Sequence, residues 1–227
     1  MRTTCNICHF HACPAVKKLG LKEQNLLADN TTEIKYKKGN IIFMQNAFAN
    51  NVGYLTSGLV KKHMTGLNGK EQIIEIIKAP SFIGIPTTMG NHINQYSVTS
   101  LTESSMCMID LNIFKKICCE NAPFACEMIQ EMCRKELNHF CSCFNKTQKN
   151  AKGLVADTLV YFACSVFNTN SFSLPLSRSE IADLINTSRE QVCRILSEFH
   201  NDGIIKIKGK EVSILNSELL EKISQNG

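Results

Sequence analysis

The stretch from Leu176 to Gly203, together with residues 204–214, constrains this chain most. Ser177 can cap a short helix, and Glu180 follows three residues later, the spacing of a capping box. Ile181, Ala182, Leu184 and Ile185 give that helix an apolar face, and Asn186-Thr187-Ser188 form a polar turn. Ser188 can cap a second helix, whose apolar stripe is Val192, Ile195, Leu196 and Phe199. Ile204–Ile214 then predicts a two-stranded wing closed by Lys208-Gly209-Lys210. Helix, turn, helix and wing in this order place the second helix in the DNA major groove.

The polar residues of the second helix suit that task. Arg189, Glu190, Gln191 and Arg194 lie off the apolar stripe near its N-terminus and are expected to contact bases. Arginine offers a donor fork to guanine, and glutamate accepts from cytosine N4. A plainer reading makes Glu190 and Arg194 an exposed ion pair one turn apart. Ser177, Arg178, Ser188, Lys208 and Lys210 are expected to hold phosphates. Bulk charge does not carry this expectation. The whole chain is +5, but residues 151–227 hold 8 basic and 9 acidic side chains, a net of −1. What matters is position: Arg178, Arg189, Arg194, Lys206, Lys208 and Lys210 all fall on the helix-turn-helix and wing.

Upstream, the pattern is β. Residues 31–112 read as short strands with turn signals at Lys37–Asn40, Ser57-Gly58 and Asn68-Gly69. The strands expected include Ile41–Phe43, two joined by a turn within Gly53–Val60, Ile73–Ile77, Ser97–Leu101 and Met106–Ile109, as in an antiparallel sandwich or barrel. After Asp110 the period becomes helical: a short helix over Leu111–Cys119, then a long one from about Pro123 to Asn150. Met128, Ile129, Met132, Leu137, Phe140 and Phe144 form a stripe too wide for one small barrel to cover, which points to a dimer helix. Asn145–Gly153 is polar and predicts a hinge, followed by a helix over Leu154–Phe167. The expected fold class is α+β. Its parts are a Cys-rich arm (1–20), a β-roll sensor (21–122), a dimerisation helix with hinge (123–150) and a winged-helix domain (151–227). No apolar run is long enough for a membrane span, and the N-terminus has no apolar leader, so the expected location is the cytoplasm.

These motifs resemble the CRP/FNR family of bacterial transcription regulators over nearly the whole length. The residues that carry the resemblance are Lys37-Lys38-Gly39-Asn40-Ile41-Ile42-Phe43, Tyr54–Val60, Gly69-Lys70-Glu71, Phe82-Ile83-Gly84, the long helix, and Ser188-Arg189-Glu190 with Arg194-Ile195-Leu196. The resemblance implies a homodimer with an N-terminal β-roll related to cyclic-nucleotide-binding domains, a C-terminal winged helix, and RNA polymerase as a partner. The family's FNR branch has Val at the position of Arg189 and Ser at that of Cys193. This helix is closer to the CRP branch, which implies a palindrome near TGTGA-N6-TCACA.

Two effectors follow from the resemblance. The family's cyclic AMP pocket uses a Gly-Glu and an Arg-Ser pair. Here Gly84 is followed by Ile85-Pro86, and Asn94-Gln95 stand in for the second pair, so cyclic AMP is not expected. The other effector is a [4Fe-4S] cluster. Cys5, Cys8 and Cys13 form a close trio, and alignment of Leu101–Ile109 puts Cys107 at the family's fourth ligand position. The second spacing is one residue shorter than the FNR pattern. His9 and His11 leave zinc open, and His63, His92 and His139 leave haem open. A thiol oxidoreductase built on Cys5-x-x-Cys8 is the alternative from another class, although that motif is expected within a βαβ unit rather than in an arm. The chain has 12 cysteines. Cys118, Cys119, Cys126, Cys133, Cys141, Cys143, Cys164 and Cys193 are expected to be small buried apolar residues.

Overall fold

The computed structural model describes residues 2–4 and 13–227. The expected trio member Cys13 is among them, while Cys5, Cys8, His9 and His11 lie outside. Two compact units form, one from residues 1–70 with 74–137 and one from residues 71–73 with 138–227.

The first unit is an antiparallel roll. Its larger sheet has the order β1 (Arg2–Thr4), β2 (Thr31–Tyr36), β9 (Ser104–Asp110), β4 (Asn51–Ser57), β7 (Ser81–Ile83). The second sheet has the order β3 (Ile41–Phe43), β8 (Ser97–Ser100), β5 (Leu59–Thr65), β6 (Glu71–Lys78). Alternation along β4 and β9 separates two cores. Leu55 and Met106 join Phe43, Val60, Ile83 and Val98 between the sheets. Val52, Tyr54, Cys107 and Ile109 face the other way, onto Phe114, Ile117, Phe124 and Met128 of the helices. Those helices are α1 (Leu21–Asp29), α3 (Leu111–Glu120) and the start of α4 (Ala122–Gln148); a short α2 (Ile85–Gly90) follows β7. Gly58 turns β4 into β5 at φ +91°, where a Cβ would strike Ser104 and the Glu103 carbonyl. Only glycine takes that conformation at this contact without strain.

The second unit starts along α4 and continues with α5 (Ala151–Val160), a π-helical stretch (Tyr161–Phe167), β10 (Ser171–Ser173), α6 (Arg178–Ile185), α7 (Arg189–Asn201), β11 (Ile205–Lys208), β12 (Glu211–Ile214) and α8 (Ser217–Asn226). Leu159, Phe162, Leu176, Val192, Phe199, Ile205 and Leu220 are fully buried in it. α4 and α5 are separated by two residues only, and Asn150 caps α5 by accepting from Lys152 N and Gly153 N at 2.9 and 3.0 Å.

Four differences from the expectations have physical causes. The helix expected over Leu154–Phe167 is α-helical only to Val160, then widens into a π turn, a change of period that apolar spacing does not resolve. The wing has three strands, because β10 pairs with β12. The second half of the expected arm is part of the roll: Cys13, Ala15, Val16 and Leu19 are buried in the core beneath the helices. Most of the later cysteines are not buried. Cys119, Cys126, Cys133, Cys141, Cys143 and Cys164 are exposed, and Cys118 and Cys193 half-buried. Four of these ride on α4, whose outer face a single chain leaves open. Burial pushes the Cys118 thiol up to about 11.

Candidate nucleic-acid interface and thiol cluster

Local chemistry builds the helix-turn-helix. Ser177 Oγ accepts from Glu180 N at 3.2 Å while Ser177 N donates to Glu180 Oε2 at 2.8 Å, a reciprocal capping box. Asn186 ends α6 in the left-handed region at φ 56°, and Thr187 N closes the turn onto Ala182 O. Ser188 then caps α7 by accepting from Gln191 N at 3.1 Å. Ile181, Ala182 and Ile185 of α6 are buried, with Leu184 half-buried, and Val192, Ile195, Leu196 and Phe199 of α7 are buried. This packing turns Arg189, Glu190 and Arg194 to the surface and leaves Gln191 half-buried.

Two polar partners hold these side chains. Arg194 pairs with Glu198, not Glu190: Nη1 to Oε1 is 2.8 Å. Glu198 also lies 3.5 Å from Lys152 Nζ, which sits 5.6 Å from the centre of the Phe199 ring. Glu198 and Lys152 thus position Arg194, a role signalled in sequence only by the Arg194/Glu198 spacing. Gln191 is oriented by Thr187, whose Oγ1 donates to Gln191 Oε1 at 2.9 Å.

The wing is tied to α6. Arg178 Nη2 donates to Gly209 O at 2.9 Å, so this arginine braces the wing tip while its other donors remain available. Partial burial draws its pKa below the ordinary arginine value. Lys208 pairs across the hairpin with Glu211, and the two-residue loop holds Gly209 at φ 62° and Lys210. Lys206, Lys208 and Lys210 are exposed. Ser177 and Ser188 use their hydroxyl oxygens as caps, and each hydroxyl hydrogen remains a donor.

A second group of candidates lies on the outer face of the roll. Cys107 stands directly across from Tyr54 on one side and Glu33 on the other. Cys107, Cys13 and Tyr54 belong to one buried core. Burial raises the Cys13 pKa, partly offset by the backbone N–H groups of Val16 and Ala15. Burial also raises that of Tyr54. Among the described residues, no three His, Cys, Asp or Glu side chains form a ready metal site. The three histidines considered for haem do not converge: His63 is buried with Nε2 at 2.9 Å from Thr99 Oγ1, while His92 and His139 are exposed.

Inside the roll, Asn94 is buried near Thr87 and Gln95 is exposed. Lys62, beside the Tyr96 ring, is committed to Glu75 at 2.6 Å. No helix among the described residues is long and apolar enough to cross a membrane.

The comparisons with known proteins agree with this geometry. Residues 33–121 match the Cyclic nucleotide-binding domain, and residues 155–223 match the Crp-like helix-turn-helix domain. The chain is 24% identical over 220 residues to the Transcriptional activator protein FnrA of Stutzerimonas stutzeri, spanning 94% of this chain and 89% of that one. To the Transcriptional activator protein Anr of Pseudomonas protegens it is 26% identical over 184 residues, 79% of this chain and 75% of the relative. FixK2 from Bradyrhizobium japonicum has the same fold, with a TM-score of 0.76 at 22% identity, over 85% of this chain and 96% of that one. A transcriptional regulator of the crp/fnr family from Eubacterium rectale gives 0.77 at 20% identity, over 93% and 98% of the two chains.

Proposed function

We propose, for a chain that belongs to the CRP/FNR family of DNA-binding transcription regulators, that two copies together read a palindromic site under the control of a thiolate-held group. The family makes it a regulator and not an enzyme. The observation that carries the DNA reading is the exposed Arg189, Glu190 and Arg194 on a helix whose opposite face is buried. In this arrangement the three side chains contact base edges, and Gln191 adds a contact once Thr187 has set its rotamer. Ser177, Arg178, Ser188, Lys208 and Lys210 hold phosphates around them. The CRP-like residues at 189 and 193 favour TGTGA half-sites.

The homodimer reading is supported by α4. Met128 is buried in the roll, whereas Ile129, Leu137, Phe140 and Phe144 are 58–64% exposed and Met132 is 37% exposed. An apolar stripe of that size along a 27-residue helix fits a second copy. A two-fold axis along it would present two recognition helices to successive turns of one DNA face.

The described half of the thiol set suits cluster ligation. Cys13 and Cys107 share one buried, water-poor core, where burial raises the Cys13 pKa and the Val16 and Ala15 amides offset it in part. Cys5, Cys8, Cys13 and Cys107 would hold a [4Fe-4S] cluster, whose chemistry when bound is sensitivity to oxygen or nitric oxide. What this chain contributes is mechanical. Cys107 lies on β9, whose neighbour β4 packs with it against Phe114, Phe124 and Met128. Tethering the arm to Cys107 therefore acts on the start of α4 and, through the dimer seam, on DNA affinity.

Protein purified without oxygen is expected to contain iron and sulfide, to lose both in air, and to bind its operator more weakly afterwards. Cys107→Ser should lose the iron. A colourless, iron-free protein that binds the operator equally well before and after air would overturn the sensor reading while leaving the DNA reading intact.

A further inference from the structure

The seam-facing side of α4 carries a feature that neither the DNA reading nor the N-terminal thiols use. His139 Nε2 and Cys143 Sγ are 3.5 Å apart, one helical turn from each other and both exposed. Two ligand atoms bonded to one tetrahedral zinc at about 2.3 Å for sulfur and about 2.0 Å for nitrogen lie about 3.5 Å apart. The pair is thus already spaced as two corners of a zinc tetrahedron. Residues four apart share a helix face, so the chelate forms without bending the backbone.

One chain supplies only half of such a site. No group of three or more candidate ligands exists among its described residues. The apolar pattern of α4 says where the other half comes from. Ile129 and Met132 are the first exposed apolar positions of the stripe, and continuing them at seven-residue spacing leads through Glu136 to His139 and Cys143. Phe140 and Phe144, each one residue further on, lie about 100° round the helix and flank that line. In a parallel pair of α4 helices, each His139 and Cys143 therefore approaches its own copy across the axis.

We infer that the α4 seam is a two-copy metal site, in which His139 and Cys143 of each chain bind one zinc-class ion as a Cys2His2 tetrahedron. This inference rests on the homodimer reading above. Binding replaces two thiol protons, which leave to solvent, with two metal–sulfur bonds, and no oxidant or reductant takes part. The ion would join the C-terminal parts of the two helices, the segment that leads into the DNA-binding halves. Metal would thereby tighten the dimer independently of the N-terminal cysteines.

The test uses full-length protein carrying Cys5→Ser and Cys8→Ser, which takes the N-terminal trio out of competition. Cobalt(II) is titrated with absorption recorded, and the mass of the particle is measured by light scattering with and without zinc. The expected result is a dimer that takes one cobalt per two chains, with a thiolate-to-cobalt charge-transfer band and tetrahedral d–d bands. His139→Ala and Cys143→Ser should each abolish these bands while the dimer persists. Zinc should lower the dimer dissociation constant by about tenfold or more, and only with His139 and Cys143 present. A dimer without the bands, or with bands unchanged in both variants, overturns the metal site and leaves the dimer standing. One cobalt per chain overturns the shared site. A monomer at all concentrations, with or without metal, removes the dimer and the site together.

Discussion

Replacing Phe199 by alanine is expected to remove about 3–5 kcal/mol of stability from the DNA-binding unit, the usual cost of emptying a fully buried aromatic position. Phe199 is 0% exposed and joins several elements at once. Its ring lies under Lys152 of α5, and its carbonyl accepts from Ile204 N at 2.9 Å where the chain leaves α7 for the wing. Removing the ring therefore loosens the recognition helix, its brace on α5 and the start of the wing together. Urea denaturation followed by circular dichroism would measure it. A loss under about 1 kcal/mol would mean that the helix does not rest on this contact.

Arg194→Ala is expected to cost about 1–3 kcal/mol at the cognate duplex, roughly 5- to 150-fold in affinity, and to relax preference at one base pair per half-site. The effect should be large because the guanidinium is held in place before DNA arrives. Glu198 grips it at 2.8 Å and is itself steadied by Lys152. The ion pair alone is exposed and contributes little to stability, so the variant should fold normally. Lys208→Ala should behave differently: affinity falls for all sequences alike, and the salt dependence becomes shallower by about one unit of slope. Anisotropy titrations over several salt concentrations, on cognate and single-base-changed duplexes, separate the two. Equal behaviour of the two variants would contradict the division between base and phosphate contacts.

The DNA-binding unit was legible because its determinants are local. Ser177 with Glu180, Asn186 at the helix end and Ser188 at the next start each act within four residues. The partner of Arg194 was not legible. Glu190 and Glu198 are both four residues away, and the orientation rule for isolated helices favours the glutamate on the N-terminal side. Lys152, from a different helix, decides for Glu198, and no local pattern contains that. The roll was readable as strands and turns through Gly58 and Asn68-Gly69, but not in its order: β9 lies between β2 and β4, a pairing set by contacts some fifty or more residues away. α1 and α2 are short and weakly patterned and gave no signal. The cysteines of α4 misled for another reason. A cysteine on an apolar helix face reads as buried, and a single chain leaves that face open.

The most direct test is the stoichiometry and sequence dependence of binding to a duplex carrying TGTGA half-sites as an inverted repeat. The expected result is two chains per duplex, with affinity falling by about tenfold or more when either half-site is scrambled. One chain per duplex, or equal affinity for intact and scrambled duplexes at the same salt concentration, would contradict the account.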